Sequence, residues 1–238
     1  MRRLSSIMAF VLLLGLSACT PKPEKPEEPA NFALAVFLDT DVTAAQKSAV
    51  EQRLRAMPSV ENVYLESRAQ VYERQKEQLK DNPNLLARLR PEDMPETFNA
   101  TITDAPIAEA VELVMAGVDG VQDVALRIVD VDDRRPARIG VIVRSKSSAT
   151  EEQRATLEAA VRALPNTDSV EFEDRDAAYE RLRTRCRGKG DLATQLEPQM
   201  VRESWRFNLP LNHEGAGVSD LIELDGVDVV RLVPAALL

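Results

Sequence analysis

Thr43–Arg74 reads TAAQKSAVEQRLRAMPSVENVYLESRAQVYER, and 107 residues later Thr150–Arg181 reads TEEQRATLEAAVRALPNTDSVEFEDRDAAYER. The two align without a gap and share 12 of 32 positions, among them Thr43/Thr150, Gln46/Gln153, Pro58/Pro165, Val63/Val170 and the run Tyr72-Glu73-Arg74/Tyr179-Glu180-Arg181. Solenoid units run roughly 20–50 residues. A period twice that long is the period of a whole domain, so the chain carries one fold twice.

Outward from the repeat, periodicity assigns the elements. Phe32–Leu38 is an apolar run of strand length. Thr43 is an N-cap for a helix over Ala44–Met57, with Ala49, Val50, Leu54 and Met57 on one face and Pro58 ending it. Val60–Leu65 is a strand with Val63 and Leu65 on one face, and Ser67 starts a helix that runs to Lys80. A short helical piece, Asn84–Leu89, and a loop with Pro91 and Pro95 follow. Phe98–Ile102 alternates as a strand, Pro106–Ala116 is a helix, and Gly120 leads into a last strand within Val121–Val131. The second copy repeats this order, with Ile139–Val143 as its first strand, Leu192 and Leu196 at the places of Leu85 and Leu89, and Trp205 at that of Phe98. Without the inserted pieces each copy is βαβ followed by βαβ. The expected fold class is therefore α+β, two tandem ferredoxin-like (split βαβ) domains, each with a small helical insertion lobe.

The first 18 residues read as an export leader. Arg2 and Arg3 precede the apolar run Ile7–Leu14, and Leu16-Ser17-Ala18-Cys19 has the form of a lipobox. The run falls short of the about 20 residues that span a bilayer. The reading is a lipoprotein signal peptide over 1–18 with Cys19 as the acylated residue, which puts the folded part on the extracytoplasmic face of the cell membrane. Residues 19–31, rich in proline and charge, form an extended linker. The expected domains are 32–131 and 138–234, joined by a junction at 132–137 short enough to keep them in contact.

Charge and chemistry-bearing residues exclude several functions. Residues 31–130 hold 17 acids and 10 bases, and residues 134–234 hold 17 acids and 16 bases, so neither half has the basic face of a nucleic-acid binder. The one histidine, His213, lies in a polar loop, and no glycine-rich phosphate loop follows a strand. Asp130, Asp132 and Asp133 lack the spacing of a calcium loop. With Cys19 acylated, Cys186 has no internal partner and reads as a partly buried small residue or, less simply, as half of a mixed disulfide with a partner. Glu171 and Glu173 fall on the solvent side of an alternating strand. Arg181, Arg183, Arg185, Arg187 and Lys189 read as cations at a helix C-terminus or as a contact for lipid headgroups or an anionic wall polymer. No catalytic residue, metal or cofactor is expected.

The insertion is apolar for its length: Leu79, Leu85, Leu86, Leu89, Met94 and Phe98, with Leu192, Leu196, Met200, Val201, Trp205 and Phe207 in the second copy. Such a segment forms either a closed mini-core or an open groove that seats a partner's helix.

The order of these features resembles the extracellular domain of FtsX, the permease-like cell-division protein. The resemblance rests on Gln46, Met57-Pro58, Val60, Val63, Tyr72, Leu85, Leu89, Pro95, Phe98 and Asp119-Gly120-Val121. The second copy departs from it where Arg202 replaces Pro95. The resemblance implies a non-enzymatic domain that binds a cell-envelope protein such as a peptidoglycan hydrolase or its activator. The expected partner-binding residues are Tyr72, Leu79, Leu85, Leu86, Leu89, Met94 and Phe98, with Leu192, Leu196 and Trp205. The chain lacks permease helices, so coupling to a cytoplasmic ATPase is not implied. A separate reading is an envelope carrier for a small apolar or anionic ligand held between the domains.

Overall fold

A computed structural model describes residues 31–129, 138–210 and 217–238. The leader, Cys19, the junction beyond Val129 with its aspartates, and His213 lie outside the described residues.

The first repeat runs β1 (Asn31–Leu38), α1 (Ala44–Ala56), β2 (Val60–Glu66), α2 (Arg68–Gln78), α3 (Pro83–Leu86), a 3-10 turn at Pro91–Asp93, β3 (Thr97–Ile102), a 3-10 turn at Ala105–Ile107, α4 (Ala108–Ala116) and β4 (Val121–Val129). The second runs β5 (Arg138–Ser145), α5 (Glu151–Ala163), β6 (Asp168–Glu173), α6 (Arg175–Arg185), α7 (Leu192–Gln195), a turn at Pro198–Met200, β7 (Ser204–Pro210), α8 (Val218–Ile222) and β8 (Val227–Pro234). Each repeat forms a four-stranded antiparallel sheet flanked by helices, in the orders β2-β3-β1-β4 and β6-β7-β5-β8. Two tandem α+β domains of βαβ type, with helical insertions, follow.

Local chemistry explains the elements. The Thr43 and Thr150 side chains accept hydrogen bonds from the backbones of Gln46 and Gln153, whose side chains cap back, and Ser67 and Gln70 do the same for α2. Helix α3 is shorter than the spacing of its leucines predicts, because Arg88 and Leu89 turn out of it towards Pro91. In β2 the pairing register shifts between Glu61 and Tyr64, and Val63 reaches the core while Leu65 stays exposed at the sheet edge. Ala49 is exposed on α1, and only Val50, Leu54 and Met57 of the expected face are buried.

Each sheet has an inner face, packed on α1 and α4 in the first repeat and on α5 and α8 in the second, and an outer face. Phe32, Leu34, Val36, Phe98, Ile102, Val124 and Leu126 turn inward in the first sheet. Val141, Val143, Trp205, Phe207 and Leu209 turn inward in the second. The first core does not stop at α4. It continues through Ile142, Ala178, Leu182, Cys186, Leu192, Leu196, Val201 and Val233 of the second repeat. Helix α4 is therefore buried on both sides, between the inner face of its own sheet and the outer face of the next.

Candidate functional site

In the first repeat, α2 and the segment after it overhang the outer face of the sheet and leave a trough of ≈ 300 Å³. Its floor is Ala35, Phe37, Thr97, Asn99 and Arg127, and its wall is Val71, Arg74, Gln75, Gln78, Leu89, Met94 and Pro95. Arg74 is held by Glu66 through two bonds of 2.8 and 3.0 Å. The bond from Arg74 pulls the Glu66 carboxyl below its ordinary pKa against the effect of burial.

Of the expected binding residues, Leu89 and Met94 line this trough. Leu85 is 45% exposed and stands outside it, while Tyr72, Leu79 and Leu86 are half-buried. The Leu79–Met94 segment buries none of its large apolar side chains fully, which makes it an open lobe rather than a closed mini-core. Phe98, 2% exposed, is a correction: its strand position turns it to the inner face, away from the trough.

The second repeat builds the same walls and fills them. Leu192 and Leu196 are 0% and 2% exposed, packed with α6 and α4 in the core shared by the two repeats. They are not on a free surface. Trp205, also 2% exposed, belongs to the second repeat's own core, its ring 5.1 Å from that of Phe172. A free Trp anchor is thereby corrected to a core residue, as the alternation of β7 requires.

What fills the second trough is α4, and two carboxylates fasten it. Glu112 accepts from Arg144 (3.0 and 3.2 Å) and from Arg231 (2.6 Å). Glu109 accepts from Arg181 (2.9 Å), Arg206 (3.3 Å) and Arg144 (3.4 Å). Burial alone raises the pKa of Glu109, but Arg144, Arg206 and Arg181 outweigh it and hold the carboxyl well below the ordinary range. Burial lowers the pKa of Arg144, and Glu112 with Glu109 reverses that, leaving it raised. Arg181 also grips Glu173 at 2.6 and 2.9 Å, so Glu173 is part of this cluster and not of a solvent face. Lys189 reaches Asp104 at 2.6 Å. The basic run therefore alternates: Arg181, Arg185 and Lys189 turn inward, towards the first repeat or the C-terminal segment, and Arg183 and Arg187 turn to solvent.

Sequence reasoning missed Glu109, Glu112, Arg144, Arg206 and Arg231. One signal was available: where the second copy places Arg144, Arg206 and Arg231, the first has Phe37, Asn99 and Ala125.

The remaining chemistry is sparse. Among the described residues, no three His, Cys, Asp or Glu side chains are grouped to hold a metal ion. Cys186 is buried, and burial, helped by Asp104, pushes its thiol up to about 11, so it is not a thiolate nucleophile near neutrality. No helix of the described residues is long and apolar enough to cross a membrane.

A search of curated proteins finds no match to this chain. A scan of family models matches one family, described as the FtsX extracellular domain, at residues 31–130 and again at residues 137–235. The two matches together span most of the sequence, and the repeats they cover are the two sheets built above. The chain belongs to the FtsX extracellular domain family, a non-catalytic family whose domains bind envelope-associated proteins, and it carries that domain twice.

Proposed function

We propose that the chain is a lipid-anchored, extracytoplasmic protein that binds a cell-envelope or division partner, such as a peptidoglycan hydrolase or its activator, through its first repeat. Residues 1–18 are a lipoprotein signal peptide, Cys19 carries the lipid, and the linker at 19–31 holds two ferredoxin-like domains, 32–131 and 138–234, off the membrane. The observation that carries the reading is the difference between the troughs. The trough beside Leu89 and Met94 is open, whereas its counterpart beside Leu196 and Val201 is packed. Leu85, exposed on the same lobe outside the trough, adds apolar surface there.

The carrier reading has less support. The cavity at the seam between the repeats is ≈ 10 Å³, lined by Glu109, Glu112, Arg144 and Arg231 among others. That is about the room one water needs.

Crosslinking in intact cells, with the lipoprotein as bait, tests the binding role. A specific envelope protein should be recovered with the wild type and lost with Leu85→Asp/Leu89→Asp, while the variant keeps a cooperative melt. Equal recovery with both sinks the assignment of the lobe. Metabolic labelling with a fatty acid, lost in Cys19→Ser, tests the anchor.

A further inference from the structure

The filled trough is a worked example of what the empty one accepts. We propose that the free trough of the first repeat binds an amphipathic helix of a partner protein in the manner in which the second repeat binds α4, and that this helix carries one carboxylate followed three residues later by an apolar residue. The inference rests on the binding role just proposed and names the chemistry of the partner.

The two troughs correspond position by position. Val71 and Ala178, Leu89 and Leu196, and Met94 and Val201 occupy equivalent places along the walls, and Ala35 and Ile142 along the floors. The second set is buried against a helix. Ala35 on the floor, with Ala33 and Ala125 on the same face of the sheet, leaves room for a helix to lie close to it.

The differences set specificity. Glu109 is received by three arginines, Arg181, Arg206 and Arg144. The first repeat keeps one of these, Arg74, in the same pairing with Glu66 that Arg181 makes with Glu173. Arg206 becomes Asn99, which is already committed to Glu66 at 3.3 Å. One partner carboxylate can therefore meet Arg74 as Glu109 meets Arg181. Glu112 is received by Arg144 and Arg231, and their equivalents are Phe37 and Ala125. Arg127, the other cation of the floor, is exposed and stands at the place of Val233 rather than of Arg231, so a carboxylate there would lack a buried cation and an apolar side chain fits instead.

The probe is a fluorescein-labelled peptide of residues 104–117 with Glu112→Leu, titrated onto the full mature chain and read by anisotropy. It should saturate, and the native-sequence peptide should bind at least about tenfold more weakly, the effect of one unpaired buried charge. Leu89→Asp should abolish binding, and Ile222→Asp, at an exposed apolar position of the second repeat, should not. Phe37→Arg/Ala125→Arg should reverse the preference in favour of the native-sequence peptide. That reversal is a readout that damage to the fold cannot produce. No binding, or binding that survives Leu89→Asp, overturns the proposal. So does a concentration-dependent dimer that Leu89→Asp dissolves, since the occupant is then a second copy. If cells yield a partner through Leu85 and Leu89 but the peptide fails, the binding role stands and only the helical occupant falls.

Discussion

Glu112 sits in a helix, AEAVELVMA, that is apolar but for it and Glu109, and it is 2% exposed. A carboxylate is retained in such a place only when its partners are present. Arg144 and Arg231 supply them, and Arg144 is itself buried. Removing the carboxylate leaves Arg144 only Glu109, at 3.4 Å, and Arg231 only the Val124 carbonyl. Glu112→Gln should cost about 3–5 kcal/mol, read as a lower urea midpoint with an unchanged slope. Glu109 makes a different test. Its pKa in the fold lies below the ordinary 4.5. Such a group stabilises the fold fully above its unfolded pKa, and the contribution is lost as pH falls from there towards the folded value. Glu66, lowered by Arg74, acts in the same direction. The melting temperature should stay level from neutrality down to about pH 5 and fall below it. Glu109→Gln should melt lower at neutral pH and show a shallower acid limb. An unchanged acid limb would mean that Glu109 is not held by the arginines.

At the scale of elements, the repeat preserves backbone geometry more faithfully than residue identity. Left-handed residues recur at equivalent places, Ser59 with Asn166 and Asn62 with Ser169, and the register of β2 and of β6 slips at the same point. Gly120 and Gly226, before β4 and β8, have φ of +85° and +91°. A Cβ at either would also meet the Cβ of the capping-box glutamine, at 3.1 Å from Gln46 and 2.9 Å from Gln153. Gly188 has φ +77° but open space around it. Alanine at Gly188 should therefore cost only the left-handed backbone penalty, about 1–2 kcal/mol, and alanine at Gly120 or Gly226 clearly more. Thermal melts of the three variants rank them, and an equal loss in all three would mean that the glutamine gives way. These elements were legible in the sequence because each rests on local signals: a Thr-x-x-Gln cap, a proline stop, a period of two. The site was half legible. Leu89 and Met94 could be read as surface because they belong to an apolar excursion. The burial of Leu192 and Leu196 could not, because what covers them is α4, which lies far from both in sequence. Trp205 misled for a local reason: rarity suggested an anchor, whereas its place opposite Val143 on an alternating strand put it in the core.

Across the whole molecule, one apolar cluster crosses from the first repeat into the second, and the arginine–glutamate pairs lie within that seam. The second repeat's outer face, with Ile142, Leu182, Leu192 and Leu196, has no cover of its own, and α4 has no other cover for Glu109 and Glu112. Each repeat therefore completes the other, and neither should unfold alone. This separates the chain from a pair of beads on a linker, in which two domains melt independently. Differential scanning calorimetry of the full chain should give a single transition, with a calorimetric to van't Hoff enthalpy ratio of about one. Glu109→Ala/Glu112→Ala should weaken the seam without touching either sheet's inner face, and it should split the transition in two. The component assigned to the second repeat should then bind a hydrophobic dye before it melts, because Leu192 and Leu196 have lost their cover. Two transitions already present in the wild type would show that the seam is too weak to couple the repeats. The trough around Leu196 would then be a second site, open to partners for part of the time, and the difference between the two troughs would lose its force.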